Sequence, residues 1–155
     1  MSSLAKAILT QAETEVTAEK KSAMPLAQVT VNLLMSLEGF ADIFWAKLCQ
    51  RAGGWPVPFV IPANDTDGTA FTPQSKRKAQ GFRDTDEGPE TLGDYTSRVT
   101  GMLRVYFTVL VLPVNQPLDP IFRVDRYWTY FSRMLRDPQL LESPVAAQIM
   151  FSKRL

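Results

Sequence analysis

Lys47 and Arg51 are the residues whose placement asks for a chemical reason. They follow Phe40 by seven and eleven positions, so on a helix they fall beside the apolar stripe of Phe40, Ile43, Phe44 and Leu48, not on the opposite, solvated face. Two cations one turn apart at the C-terminal end of a core-facing stripe have two readings. They snorkel and complement the helix dipole, or they line an anion site between packed helices. Catalytic chemistry finds less support. The chain has no glycine-rich phosphate loop with Lys-Ser/Thr, no metal-ligand cluster and no G-x-S-x-G elbow. It contains no histidine, which removes imidazole acid–base work and leaves Cys49 without a nucleophile's partner. Cys49 then reads as a buried structural thiol. Asp and Glu fall mostly in polar or flexible stretches, so paired carboxylates have no specific support. The sequence argues for a binding or regulatory module and against an enzyme.

Bulk properties set the frame for that module. A chain of 155 residues suits one domain with a real core. A net charge of +1 makes no general case for nucleic acid or membrane, so an electrostatic partner must be held by a local patch. One cysteine cannot close an internal disulfide and points to a reducing compartment. No apolar run reaches the length of a membrane span.

The elements that must position the cations are mostly helical. Residues 4–15 are rich in helix formers, and Glu13, Glu15, Glu19, Lys20 and Lys21 read as a polar stretch between helices. A second helix opens near Ser22 with Pro25 in its first turn. Its stripe is Leu26, Val29, Thr30, Leu33, Leu34 and Leu37. Gly39 ends it, and the Phe40 helix follows at once, which favours an antiparallel neighbouring pair. From 52 to 92 the periodicity disappears under Gly53, Gly54, Pro56, Pro58, Pro62 and Pro73, giving a long loop insert. In it, Trp55 and Phe59 are expected to anchor the loop on the core, and Lys76, Arg77 and Lys78 read as a solvated cluster.

Order returns at 94–98 and with the helix at 99–112, which has Val99, Met102, Leu103, Tyr106, Phe107 and Leu110 as its buried face and Thr100, Arg104 and Thr108 as a polar line. The apolar, β-branched run at 105–112 could also be a strand, but length and periodicity favour helix. The next helix, 123–136, offers Tyr127, Trp128, Phe131, Met134 and Leu135 as a wide core face. Ser143-Pro144 caps a last apolar helix that stops after barely two turns, so the domain is expected to continue beyond Phe151.

At this point the residues carry a resemblance. The order FADIFWAKLCQR, PVPFVIP, an isolated GF before an acidic loop, SRVTGMLRVYFTVL and YWTYF is similar to the C-terminal domain of the GLE-one type mRNA export factors, nucleoporin-like activators of the DEAD-box mRNA-export helicase. The likeness runs from about Leu4 to Phe151, the N-terminal half of that domain. It implies an all-α fold like HEAT-repeat and translation-scaffold middle domains. It implies a non-enzymatic activity: binding the helicase with inositol hexakisphosphate at the interface, and stimulating ATP turnover and RNA release at the cytoplasmic face of the nuclear pore, in a protein found in nucleus and cytoplasm. The family's nucleoporin contact belongs largely to the other half and is not expected here.

Carried over position by position, the family's inositol phosphate ligands fall on Lys6, Lys47, Arg51 and Arg83. Gln50 stands where the family often has a further Lys, and Ala52-Gly53-Gly54 where Cys-Pro is common. The physics suits a polyphosphate: separate segments each contribute a cation, and arginine adds bidentate bonds. Four cations gathered without an anion would be costly, so such a site should want its ligand. Two rivals are a generic helical scaffold without inositol phosphate, and an RNA-binding surface built from Arg123, Arg126, Arg133 and Arg136 with Tyr127 and Trp128. Near-neutral net charge disfavours the latter.

Overall fold

The computed structural model describes residues 1–59, 61–65 and 67–151. In chain order the α-helices are α1 (Ser2–Gln11), α2 (Ala23–Ser36), α3 (Phe40–Ala52), α4 (Pro73–Ala79), α5 (Leu92–Val111), α6 (Asp125–Arg136), α7 (Pro138–Leu141) and α8 (Pro144–Phe151). A two-residue hairpin, β1 (Asp84–Thr85) with β2 (Gly88–Pro89), is the only sheet among the described residues. The architecture is all-α, and the end at 152–155 lies outside the described residues.

α5 is the axis of the molecule. From Tyr95 to Leu110 every residue except Ser97 is buried, so its polar line of Thr100, Arg104 and Thr108 is buried along with its apolar face. The run at 105–112 is helical to Val111, because neighbours on all sides reward a continuous helix. α2, α6 and α8 pack around it. The short α8 is held by burying Val145, Ala146 and Ile149, and Ser143 Oγ accepts from the Val145 N–H at its start. That packing stabilises a helix too short to persist alone.

α1 runs on through a π-helical turn, Ala12–Val16, which places Glu13 inside the first helix and not in a linker. Gly101 lets α5 cross this turn closely. A Cβ there would sit 2.6 Å from the Ala12 carbonyl oxygen and 2.9 Å from Thr17 Oγ1. Thr17 Oγ1 also bonds the Ser97 carbonyl, fixing the crossing.

The main partner of α3 is α1, not the α2 that its short connection suggested. Met1 lies against Gly39 at one end and Glu13 meets Arg51 at the other, so α1 and α3 run in parallel. Gly39, at φ 83°, takes the left-handed turn that swings the chain from one helix to the next. The buried face of α2 is Ala23, Leu26, Ala27, Thr30 and Val31, while Val29 is exposed.

The 52–92 segment, expected as an insert without regular structure, contains α4 and the hairpin. Thr72 and Ser75 form a capping box with Pro73 at the first turn of α4. Trp55 is buried as expected of an anchor, but Phe59 is exposed. On α6, Tyr130 and Met134 are buried with Tyr127 and Phe131 packed on the core. Trp128 is 69% exposed and Leu135 faces solvent too, because both lie a step around the helix from the 127, 130, 131, 134 stripe.

The Gly101 contact gives a direct test of this packing. Gly101→Ala should raise intrinsic helix propensity by about 1 kcal/mol yet lose roughly 1–3 kcal/mol through overpacking against backbone. A lowered urea midpoint is the expected outcome; an unchanged or raised one would contradict the crossing.

Candidate functional site

The charged chemistry of the chain collects where α3 ends, α5 begins and the 52–92 segment crosses between them. The crossing is backbone on backbone. Gly53, at φ 65°, and Gly81, at φ 93°, stand so close that a Cβ on Gly53 would meet the Gln80 carbonyl oxygen, and one on Gly81 would be 2.8 Å from Gly53 N. No other residue type fits either position.

Arg98, on the first turns of α5, sits beneath this crossing with a side chain 8% exposed. Its Nε donates to Glu90 Oε2 at 2.9 Å and its Nη2 to Glu90 Oε1 at 2.8 Å, a bidentate pair. Nη2 also donates to the Gly81 carbonyl at 2.6 Å, and Nη1 to the Arg51 carbonyl at 2.9 Å. One guanidinium thus joins α5, the C-terminal end of α3, the glycine crossing and the strand exit. Glu90 Oε1 accepts in addition from the Arg83 backbone N–H. Burial pushes the Glu90 carboxyl up, but the Arg98 bond and charge, with the Arg83 N–H and charge, outweigh it and hold the group below its ordinary value.

Above this pair lies a second carboxylate. Glu13, its side chain 6% exposed, accepts from Arg51 Nη1 at 2.8 Å and from both Nη atoms of Arg83, at 2.9 and 2.5 Å. Arg98 Nη1 lies 4.0 Å from the same Glu13 oxygen. Three guanidiniums therefore surround Glu13, and one of them is already matched by Glu90.

Of the four residues expected to hold an anion, Arg51 and Arg83 meet on this one carboxylate although 32 positions separate them. Lys47 is one turn before Arg51 on α3 and half-buried. Lys6 is exposed on α1, seven residues before Glu13, hence about 10 Å along the same side of that helix. Among the described residues neither lysine has an ion-pair partner. The cost of gathering these cations is met differently from the sequence-based expectation, since the protein supplies its own anion in Glu13.

The basic cluster at 76–78 is not simply solvated. Arg77 Nη2 donates to the Glu90 carbonyl at 2.7 Å, and its guanidinium lies 4.1 Å over the Phe82 ring, which stacks on Tyr95 at 3.7 Å. Tyr95 OH donates to the Gln80 carbonyl at 2.6 Å, and burial raises its pKa to about 12. Cys49 is half-buried, and burial pushes its thiol up to about 11, the behaviour of a structural thiol and not a nucleophile.

Sequence reasoning missed Glu13, Glu90 and Arg98. The signal for two of them was present. Leu9, Ala12, Glu13 and Val16 share one helical face, as do Tyr95, Arg98, Val99 and Met102, so a charge sits inside each apolar stripe. Glu90 carries no such signal, because its partner is set by the loop path.

Fold and site together define an all-α domain of stacked helices whose charged groups gather along the α1–α3 seam and the start of α5. The chain matches the family model for GLE1-like protein over residues 1–153, and it belongs to that family. It is 28% identical over 135 residues to the mRNA export factor Gle1 of Drosophila melanogaster, covering 85% of this chain and 19% of that protein. To the Schizosaccharomyces pombe mRNA export factor it is 31% identical over 142 residues, covering 89% and 26%. The chain thus spans about a quarter or less of these curated relatives. Two solved Saccharomyces cerevisiae complexes share the fold. Both hold the C-terminal domain of Dbp5 bound to Gle1 and IP6, one of them with a variant Gle1. The TM-scores are 0.79 at 24% identity and 0.77 at 25%, covering 96% of this chain and 49% of each solved chain.

The Arg98–Glu90 pair makes two predictions. Arg98→Met leaves Glu90 buried without its partner and should cost roughly 3–5 kcal/mol in denaturant unfolding; a loss below about 1 kcal/mol, the scale of an exposed pair, would contradict it. Because Glu90 titrates lower in the folded chain, its contribution is complete above the unfolded value near 4.5 and disappears as pH falls through the folded one. Glu90→Gln should therefore flatten the loss of stability on acidification below pH 4.5; an unchanged acid limb would exclude this assignment.

Proposed function

We propose that this chain is the polyphosphate-binding part of an mRNA export factor. It takes inositol hexakisphosphate on Lys6, Lys47, Arg51 and Arg83 and, with that ligand at the interface, docks a DEAD-box RNA helicase. The activity is non-enzymatic: it stimulates the helicase's ATP turnover and RNA release at the cytoplasmic face of the nuclear pore. The observation that carries the reading is the meeting of Arg51 and Arg83, from distant parts of the chain, beside a helix seam that also bears Lys6 and Lys47, neither of them in an ion pair among the described residues. The Saccharomyces cerevisiae complexes of Gle1 with Dbp5 and IP6 support it by likeness of fold.

A dense anion at this seam would bond cations from three segments of this chain and leave outward phosphates for a second basic surface. Ligand and partner would then bind cooperatively, each raising the affinity for the other by the same factor. Stimulation of the helicase requires more than binding, since a partner shifts an open–closed equilibrium only by differential affinity for its two states.

A second reading has one specific observation in its favour. Glu13 already pairs with Arg51 and Arg83, as it would in a structural ion-pair cluster on a scaffold that binds no polyphosphate. Calorimetry separates the two. Lys6→Glu with Lys47→Glu breaks no ion pair among the described residues, so helical circular dichroism should stay intact while hexakisphosphate affinity falls by about ten-fold or more. Unchanged affinity, or an absence of thermal stabilisation of the wild type by the ligand, would favour the scaffold.

A further inference from the structure

We propose that Glu13 is a built-in competitor for the anion site, one that any phosphate ligand must displace from Arg51 and Arg83. The inference rests on the functional reading above and names how that site is regulated.

The donors a phosphate would need are the ones Glu13 holds. Both Nη atoms of Arg83 and Nη1 of Arg51 point at its carboxylate. The contact is intramolecular and charge-assisted, and its bidentate half has the same fork geometry that a phosphate would use. A weak, singly charged phosphate in solution therefore meets a site that is already filled. Hexakisphosphate brings enough charge, and enough contacts to Lys6 and Lys47, to take the arginines over.

The surroundings allow the exchange. Arg83 is 40% exposed and Arg51 17%, so both reach solvent and Arg83 has the freer path to a ligand there. Glu13 need not be left buried and unpaired, because Arg98 stays in place behind it. Arg98 is fixed by Glu90 and two backbone carbonyls, and its Nη1 lies 4.0 Å from Glu13 Oε1, so a carboxylate released by the other arginines keeps a guanidinium beside it. The carboxylate passes from the two more exposed arginines to the buried one. Glu13 lies within the π-helical turn at Ala12–Val16, and such turns recur at functional sites.

The test is binding of inositol hexakisphosphate and of inorganic pyrophosphate by calorimetry. Glu13→Gln, of the same shape, should bind both ligands about ten-fold or more tightly than wild type. Glu15→Gln removes an equal charge from the same helix without touching an arginine, and should change affinity by less than about two-fold at physiological salt. Weaker or unchanged binding by Glu13→Gln, or equal effects of the two variants, overturns the competitor while leaving the site itself standing. No binding of hexakisphosphate by wild type would overturn both. Should Glu13→Gln fail to fold, carboxyl carbon NMR of the wild type decides: the Glu13 resonance should move on saturation with hexakisphosphate, and a stationary resonance would overturn the proposal.

Discussion

The Arg98 guanidinium is the constraint on which the rest of this structure depends. A buried cation is tolerated only when it is paired and its donors are satisfied. Arg98 meets that condition with groups from three places: the Glu90 carboxylate, the Gly81 carbonyl and the Arg51 carbonyl at the end of α3. Satisfying one side chain therefore fixes where the 52–92 segment must run. The two left-handed glycines at 53 and 81 follow from it, since the segment has to cross α3 at backbone contact.

That path is also what makes a site possible. Arg83 comes two residues after Gly81, and its own N–H is held by Glu90, so its side chain is delivered to the α1–α3 seam where Arg51 waits. Glu13 settles the mutual repulsion of these groups without neutralising them, because one carboxylate faces three guanidiniums and Glu90 balances only Arg98. Three guanidiniums against two carboxylates leave this seam with an excess positive charge, which is what the proposed anion site requires. Lys6 and Lys47 extend the positive field along the parallel helices.

The helices were legible because long periodic stretches carry their own signal. The stripes of α3 and α5 and the Ser-Pro start of α8 are readable from spacing and capping, whereas on α2 the expected stripe is displaced, with Val29 exposed and Ala27 and Val31 buried. What escaped was set by tertiary contact. α5 shows an amphipathic pattern yet is buried all round, because Thr100, Arg104 and Thr108 are also covered. The neighbour of α3 depends on a turn whose direction Gly39 decides and whose length does not. α4 is short, basic and capped by Thr72 and Ser75, a signal easily lost among prolines. The candidate cations Lys6, Lys47, Arg51 and Arg83 came from family likeness. The carboxylates that govern them were hidden because Glu13 sits in a run of glutamates, most of them solvated, and Glu90 in an acidic loop.

The central claim is that one compact site gathers cations from α1, α3 and the segment before α5. Arginine and lysine side-chain NMR of the wild-type chain, titrated with inositol hexakisphosphate, tests it most directly. The account predicts saturable shifts at Lys6, Lys47, Arg51 and Arg83, and at Arg98 as Glu13 turns to it, with Arg123, Arg126, Arg133 and Arg136 unmoved. Shifts centred on those four arginines of the α6 region, or spread evenly over every exposed cation, would contradict it.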